Sequence, residues 1–314
     1  MNDVHVVTGA GPVGWTVAEQ LAAQGKSVRI LTRSGAGPEH HLVERAKADV
    51  QDAVQLRDAF AGATAVFHCI HGSSYTVDAW RAELPGAEHK VLEAAGEAGA
   101  VVVFPESLYS YSEPGRPMTE AGPRDSSGGK RGVRSQLLEA REASPTDTVS
   151  VVAGDFFGPR VRTSHAGERL VPAILAGKKV WVIGSAGLPH SFTYVPDLAA
   201  AMIRAAESPS LWNTVWHAPT GPALTQRQLA TAFTDAGGVA GPRLGAVPGW
   251  SLRAMALFSQ DMRELAELLY QFEEPFVMDS SYTQALLGLA PTPLAAAAEE
   301  TVRWWQDEQA MAKS

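Results

Sequence analysis

The first two-thirds of the chain alternates between two patterns of apolar and polar positions. Five short runs rich in β-branched residues read as buried strands: 4–9 (VHVVTG), 27–33 (SVRILTR), 64–70 (TAVFHCI), 100–106 (AVVVFPE) and 148–155 (TVSVVAGD). Between them lie Ala-rich stretches with helical spacing: Val13 to Gln24, Leu56 to Phe60, Pro85 to Ala98 and Val133 to Ala143. Apolar strands alternating with amphipathic helices predict βαβ units, a parallel sheet and right-handed crossovers. The expected fold class is therefore α/β, with a doubly wound sheet.

After Asp155 the rhythm breaks. Residues 167–184 suggest a helix and a short strand, 190–209 another helix, and 213–219 a further strand. Thr225 opens a helix, and the last hundred residues read as mostly helical. Pro and Gly clusters at 158–159, 219–222 and 241–249 mark joints.

Composition narrows the function classes. Hydrophobic residues make up 45% of the 314 and charged residues 19%, enough for a sizeable core. The formal charge of −8 argues against nucleic acid, whose phosphates need a positive surface. Cys69 is the only cysteine, so no intrachain disulfide forms and a reducing compartment is expected. No apolar run reaches the ~18 residues of a membrane span. The expectation is a cytoplasmic protein with no membrane partner.

Gly9, Gly11 and Gly14 form G-x-G-x-x-G between the first strand and the first helix, with Pro12 and Val13 inside the loop. In that context the backbone can approach a pyrophosphate, and the helix N-terminus supplies amide donors. A tight turn without a ligand is the plainer alternative. About twenty residues further on, an acid would bind the ribose hydroxyls of NAD. Here Thr32, Arg33 and Ser34 stand instead, and a guanidinium suits a 2′-phosphate, so NADP(H) is the expected cofactor. His40 and His41 follow this turn.

These motifs resemble the short-chain dehydrogenase/reductase superfamily, in its extended and atypical NAD(P)-dependent epimerase/dehydratase-like branch. The resemblance spans nearly the whole chain: TGAGPVG, ADVQD (48–52), AVFHCI, VVVFPESLYSY, GDFFGPR (154–160) and FTYVPDLA (192–199). It implies that Asp49 and Val50 contact adenine, that Cys69 and Ile70 lie beside the central ribose and phosphates, and that Phe156 borders the cofactor. It implies a cofactor domain of residues 1–157 and 190–218, with a smaller, mostly helical substrate-capping domain of 158–189 and 219–314. Asp197 is expected in a local network, and a homodimer through the crossover helices is an analogy with the superfamily.

The resemblance also exposes a departure. Such proteins carry Tyr-x-x-x-Lys at the helix after the fifth strand, and this chain has Lys130-Arg131-Gly132-Val133-Arg134 there. Val133, Leu137 and Ala140 give that helix an apolar stripe, which turns Lys130 toward a substrate oxygen and Arg134 toward the nicotinamide ribose. Lys130 acts as proton donor in that reading. In the other, both cations bind phosphate or solvent, or pair with Asp125 and Glu139. Ser107 matches the family's substrate-bonding hydroxyl, and Tyr109, Tyr111 and Tyr194 are alternative proton donors. Trp80, His165 and His190 are candidates to line a cleft. His68 and His71 lack metal-ligand spacing. Three functions stay open: an NADP(H)-dependent oxidoreductase or epimerase/dehydratase-like enzyme on a small molecule, a non-catalytic NADP(H)-binding sensor, and a transferase or isomerase that keeps the nucleotide only as scaffold.

Overall fold

The structure, a computed structural model, describes residues 4–312. Six strands form first: β1 (Val4–Thr8), β2 (Ser27–Thr32), β3 (Val43–Lys47), β4 (Ala63–His68), β5 (Val101–Ser107) and β6 (Thr148–Ala153). Helices α1 (Pro12–Ala23), α2 (Ala53–Phe60), α3 (Val77–Ala98) and α4 (Gly129–Glu142) lie between them. β3 is absent from the five apolar runs because it is a sheet edge, and VERAK has no fully buried position. Asp52 starts α2 three residues before the apolar pattern does, accepting from the N–H groups of Val54 and Gln55. α3 starts eight residues before Pro85, at a Thr76 cap, and holds that proline inside it. Trp80, Leu84, Ala87 and Val91 bury at helical spacing along α3, and this packing outweighs one lost backbone hydrogen bond.

The rest of the chain adds β7 (Asp155–Phe157), α5 (Val171–Leu175), β8 (Val180–Ile183), β9 (Phe192–Tyr194), α6 (Val195–Ala206) and β10 (Thr214–His217). It ends with α7 (Gln226–Ala236), β11 (Leu244–Val247), α8 (Gly249–Ala256), α9 (Gln260–Ala266), α10 (Tyr270–Glu273), α11 (Ser281–Leu287) and α12 (Leu294–Met311). β10 returns to pair with β6 and completes a seven-stranded parallel sheet in the order β10-β6-β5-β4-β1-β2-β3. Thr225 and Gln228 form a reciprocal capping box at the start of α7. β11, inside the 241–249 cluster where only a joint was expected, pairs with β8. One apolar core lies between the sheet and α1 with α6, another under α2 and α3, and a third among α5, α7 and α12. Among the described residues, no helix is long and apolar enough to cross a membrane.

α4 departs most from its apolar pattern. Ala140 is exposed, and Arg141 takes the buried position beside it. Lys130, Arg134 and Arg141 share one buried face with Val133 and Leu137. Arg141 donates through Nε and Nη2 to both oxygens of Glu88 on α3, at 2.8 and 2.7 Å. Its Nη1 donates to Glu106 Oε2 at 2.8 Å and Ser150 Oγ at 3.0 Å. The guanidinium also lies 4.0 Å over the Phe104 ring. One side chain thus ties α4 to α3, β5 and β6 with every member buried.

A buried cation of this kind cannot be lost without stranding its acids. Arg141→Ala should destabilise the fold by about 3–5 kcal/mol, read from urea unfolding, because Glu88 and Glu106 would remain in the interior with their main partner gone. Burial, and then the charge of Arg141, lower the pKa of His68 to about 3. The unfolded chain takes up that proton below about pH 6.5 and the folded chain does not. Stability should therefore fall by about 1.4 kcal/mol per pH unit from this site as acid is added toward pH 3, and His68→Gln should remove that part of the slope.

Candidate functional site

The chain reverses direction about β1, with β2 and β3 on one side and β4, β5 and β6 on the other. The carboxyl ends of β1 and β4 therefore border the crevice where open α/β sheets bind ligands. Gly9 stands there at φ +91°, where an added Cβ would meet Ile70 Cγ1 at 3.0 Å and the Cys69 carbonyl oxygen at 3.1 Å. A Cβ on Gly14 would lie 2.1 Å from the Gly9 carbonyl oxygen, so only glycine lets α1 pack this close. At Gly11 a Cβ would meet nothing within 4 Å. Gly11 is also the N-cap of α1 and offers no side chain to its first-turn amides. An open approach to uncapped N–H groups fits a dinucleotide pyrophosphate.

The other expected cofactor positions surround this loop. Pro12 and Val13 open α1. Cys69 and Ile70 follow β4, and burial keeps the Cys69 thiol protonated. Thr32 ends β2 and donates to the Ala36 carbonyl, Ser34 accepts from the Ala36 N–H, and Arg33 is exposed between them. Val50 is buried, and Asp49 accepts from the Gln51 N–H. Phe156 on β7 packs against the core beneath α1 and α6. A bound nicotinamide dinucleotide would supply a hydride acceptor and donor at this crevice.

Both α4 cations are buried. Lys130 is fully buried, and its Nζ donates to Glu264 Oε2, to the Glu264 carbonyl at 3.2 Å and to Glu267 Oε2 at 3.2 Å. An ammonium has three N–H donors, and all three are spent. Glu267 also accepts from the Lys130 backbone N–H at 2.6 Å, acting as a distant cap and as an anion at a helix N-terminus. Gly128 and Gly129 both have positive φ, and a Cβ on Gly129 would lie 2.0 Å from Glu267 Oε1. Arg134 lies 4.7 Å over the Trp80 ring and 3.5 Å from Glu106 Oε1. The alternative partners fare no better: Asp125 accepts from Ser112, and Glu139 is exposed. Neither cation faces solvent, and Lys130 has no free donor for a substrate oxygen.

Ser107 and Arg134 meet through Glu106, which sequence patterning overlooked. Glu106 Oε1 accepts from the Ser107 N–H at 2.7 Å and the Ser107 hydroxyl at 3.3 Å. Burial pushes the Glu106 carboxyl up, but Arg134 and Arg141 outweigh it and hold it below its ordinary value.

The structure separates the candidate tyrosines. Tyr109 Oη bonds to Tyr75 Oη, and burial, reinforced by Tyr75, pushes the Tyr109 phenol well up. Tyr111 bonds to His217 Nε2 at 2.5 Å in another core, and burial raises its pKa to about 12. Tyr194 donates to Glu300 on α12. Asp197 accepts from the N–H and hydroxyl of Thr292, the local network expected of it. Trp80 is fully buried between α3 and α4 rather than lining a cleft. The His40 and His41 rings lie tilted against each other, with centroids 4.4 Å apart. His71 stacks on Tyr75. His190 Nε2 lies 3.0 Å from Asp155 Oδ2, and His165 packs on Phe272 beside them.

A parallel sheet with a glycine cradle at its reversal point, capped by a C-terminal helical region, defines a dinucleotide-binding protein of the doubly wound class. A sequence model of the NAD dependent epimerase/dehydratase family matches residues 5–214. The chain belongs to that family. Among similar solved structures is the Bordetella bronchiseptica enzyme WbmH in complex with NAD+, at 19% identity and TM-score 0.75, covering 97% of this chain and 98% of that one. Another is UDP-glucose 4-epimerase from Thermotoga maritima with UDP-glucose, at 17% identity and TM-score 0.75, covering 98% and 99%. A third is UDP-N-acetylglucosamine 4-epimerase from Methanobrevibacter ruminantium M1 with UDP-N-acetylmuramic acid, at 21% identity and TM-score 0.75, covering 98% and 100%. At these identities the likeness is one of fold. No curated protein sequence matches this chain.

The glycines separate binding from folding. Gly11→Val should leave the circular dichroism unchanged and abolish binding of NADH and NADPH, followed by tryptophan fluorescence. Gly14→Val should instead lower Tm sharply, because its side chain collides with backbone rather than with open space. Normal dinucleotide binding by Gly11→Val would assign the loop another purpose.

Proposed function

We propose that this protein is an NAD(P)-dependent enzyme of the epimerase/dehydratase type acting on a nucleotide sugar, with its acid/base chemistry moved away from the α4 cations. The observation that carries it is the open face of Gly11 at the uncapped start of α1, in a family named for NAD-dependent chemistry. The sugar-nucleotide substrate is supported by similar structures that carry UDP-glucose and UDP-N-acetylmuramic acid. Gly9, Gly11, Pro12, Val13 and Gly14 hold the pyrophosphate, and Asp49 and Val50 border the adenine. Cys69, Ile70 and Phe156 form the wall toward the nicotinamide. Ser107 offers its hydroxyl to the substrate, and Arg134 keeps Glu106 charged behind it.

A second reading, a dinucleotide-binding protein without turnover, is favoured by Lys130, whose donors are all taken. Incubation with UDP-glucose and UDP-N-acetylglucosamine, in the presence of NAD+ or NADP+, separates the two. The enzyme produces an altered sugar ring in the NMR spectrum or reduced nicotinamide by absorbance, and the sensor produces neither while still binding nucleotide.

NADP(H) preference is part of the proposal and rests on Arg33, exposed at the end of β2 where an acid would bind ribose hydroxyls. A charged hydrogen bond of about 1.5–3 kcal/mol corresponds to roughly 10–100-fold tighter binding of NADPH than NADH. Arg33→Glu should remove or invert that ratio. Equal affinities in the parent protein would return the preference to NAD, the dinucleotide on WbmH.

A further inference from the structure

β7 begins at Asp155 and pairs with β9 in a separate two-stranded sheet, and His190 lies two residues before β9. Their contact has a consequence that follows from donors and acceptors alone. His190 Nδ1 lies 3.1 Å from the Gln271 carbonyl oxygen, and its Nε2 lies 3.0 Å from Asp155 Oδ2. A backbone carbonyl can only accept, so Nδ1 carries a hydrogen. An ionised carboxylate can also only accept, so a second proton must lie between Nε2 and Oδ2. The pair therefore holds one proton more than a neutral imidazole beside a carboxylate. Phe192, Phe272 and Phe276 surround the imidazole at ring distances of 4.7, 5.1 and 5.2 Å and keep water from it. The side chain of His190 is 3% exposed and that of Asp155 16%, so the way out for the proton is through Asp155.

The surroundings point to a ligand. The buried Gln271 amide makes no hydrogen bond of good geometry, although the Tyr109 phenol lies within its reach, and the buried Tyr270 hydroxyl is without a hydrogen-bond partner. The charge of Asp155 acts on Tyr75, Tyr109 and Tyr270, so these phenols lie near it. Two unsatisfied polar side chains in a dry wall suit the hydroxyls of a neutral polyol such as a sugar ring.

We propose that Asp155 and His190 form a one-proton acid, open to the cleft through Asp155, which serves where Lys130 cannot. This rests on the enzymatic reading above. In the acid step, the bond from the pair to its shared proton breaks, and an O–H bond forms on a substrate carbonyl or leaving oxygen. The depleted pair, a carboxylate facing an imidazole lone pair, then takes a proton back from a substrate hydroxyl, so no proton is gained or lost over a cycle. Burial pushes the Asp155 carboxyl up, but His190 and then His165 outweigh it and hold it below its ordinary value. His165 is itself lowered by burial, with Asp155 opposing that and His190 and Arg169 adding to it.

Nitrogen-15 NMR of the histidine rings tests this in the intact protein without any substrate. At pH 7, both ring nitrogens of His190 should be protonated in the parent protein, and Asp155→Asn should leave Nε2 without its proton because the amide donates to it. A singly protonated His190 in the parent overturns the proposal. NADH titration should give the same affinity in both proteins; lost affinity in Asp155→Asn would make Asp155 a cofactor support instead, and overturns it too. With UDP-glucose and NAD+, Asp155→Asn should lower turnover on the order of 100-fold or more, the range of a lost general acid. Unchanged turnover overturns the proposal. A parent protein inactive on every UDP-sugar overturns the nucleotide-sugar reading, and the ring-protonation result alone then decides whether the pair holds the extra proton.

Discussion

Three cations on one face of α4 have been taken out of water, and much of the molecule is arranged around that cost. Removing a charge from water is expensive unless an opposite charge with good hydrogen bonds goes with it. Arg141 has Glu88 and Glu106, Arg134 has Glu106 and the face of Trp80, and Lys130 has Glu264 and Glu267. The acids come from α3, β5 and the α9 region, so the charges specify how these elements sit against α4. Any helix in this position must satisfy all three pairs at once, which leaves little freedom of register or rotation.

The same arrangement decides what chemistry the site can do. A tyrosine serves as proton carrier at neutral pH when a nearby cation brings its pKa down. Here the one ammonium near Tyr75, 5.2 Å over its ring, is bound to two carboxylates, and burial pushes Tyr109 up. The phenols are therefore hydrogen-bonding walls. Glu106 is held ionised by two arginines and acts on Ser107 as an acceptor. Proton transfer is left to a group that already holds a mobile proton, and the pairing of Asp155 with His190 is the arrangement in this cleft whose hydrogen bonds require one.

The glycine turn at the reversal point of the sheet was legible in the sequence because it is local and the strand order around it repeats. Gly9, Gly11 and Gly14 lie within six residues, and the apolar runs of β1, β4 and β5 mark themselves as buried on both faces. The edge strand β3 was silent because half its side chains face water, and Pro85 misplaced the start of α3 because tertiary packing overrides a single breaker. Lys130 and Arg134 could be located but not interpreted. Their partners Glu264 and Glu267 lie more than 130 positions away, and nothing in a helical stripe distinguishes a buried arginine from a solvated one. Arg141 shows this most clearly: the periodicity favoured Ala140, and only Glu88 and Glu106 bring Arg141 inside.

Polar contacts join apolar clusters in attaching the C-terminal region to the end of the sheet. Lys130 meets Glu264 and Glu267, His190 meets the Gln271 carbonyl, Asp197 takes both donors of Thr292, and Tyr194 reaches Glu300. Such contacts are directional, so they fix position where an apolar interface would tolerate sliding. The glycine loop and the residues after β4 lie within the first seventy positions, whereas Asp155 and His190 come from segments more than thirty residues apart and His190 is held by the Gln271 carbonyl. Binding and chemistry thus depend on different parts of the chain. The glycine loop can therefore stay as it is while the charged groups of α4 change, because Lys130, Arg134 and Arg141 take their partners from α3, β5 and the α9 region and none from the loop.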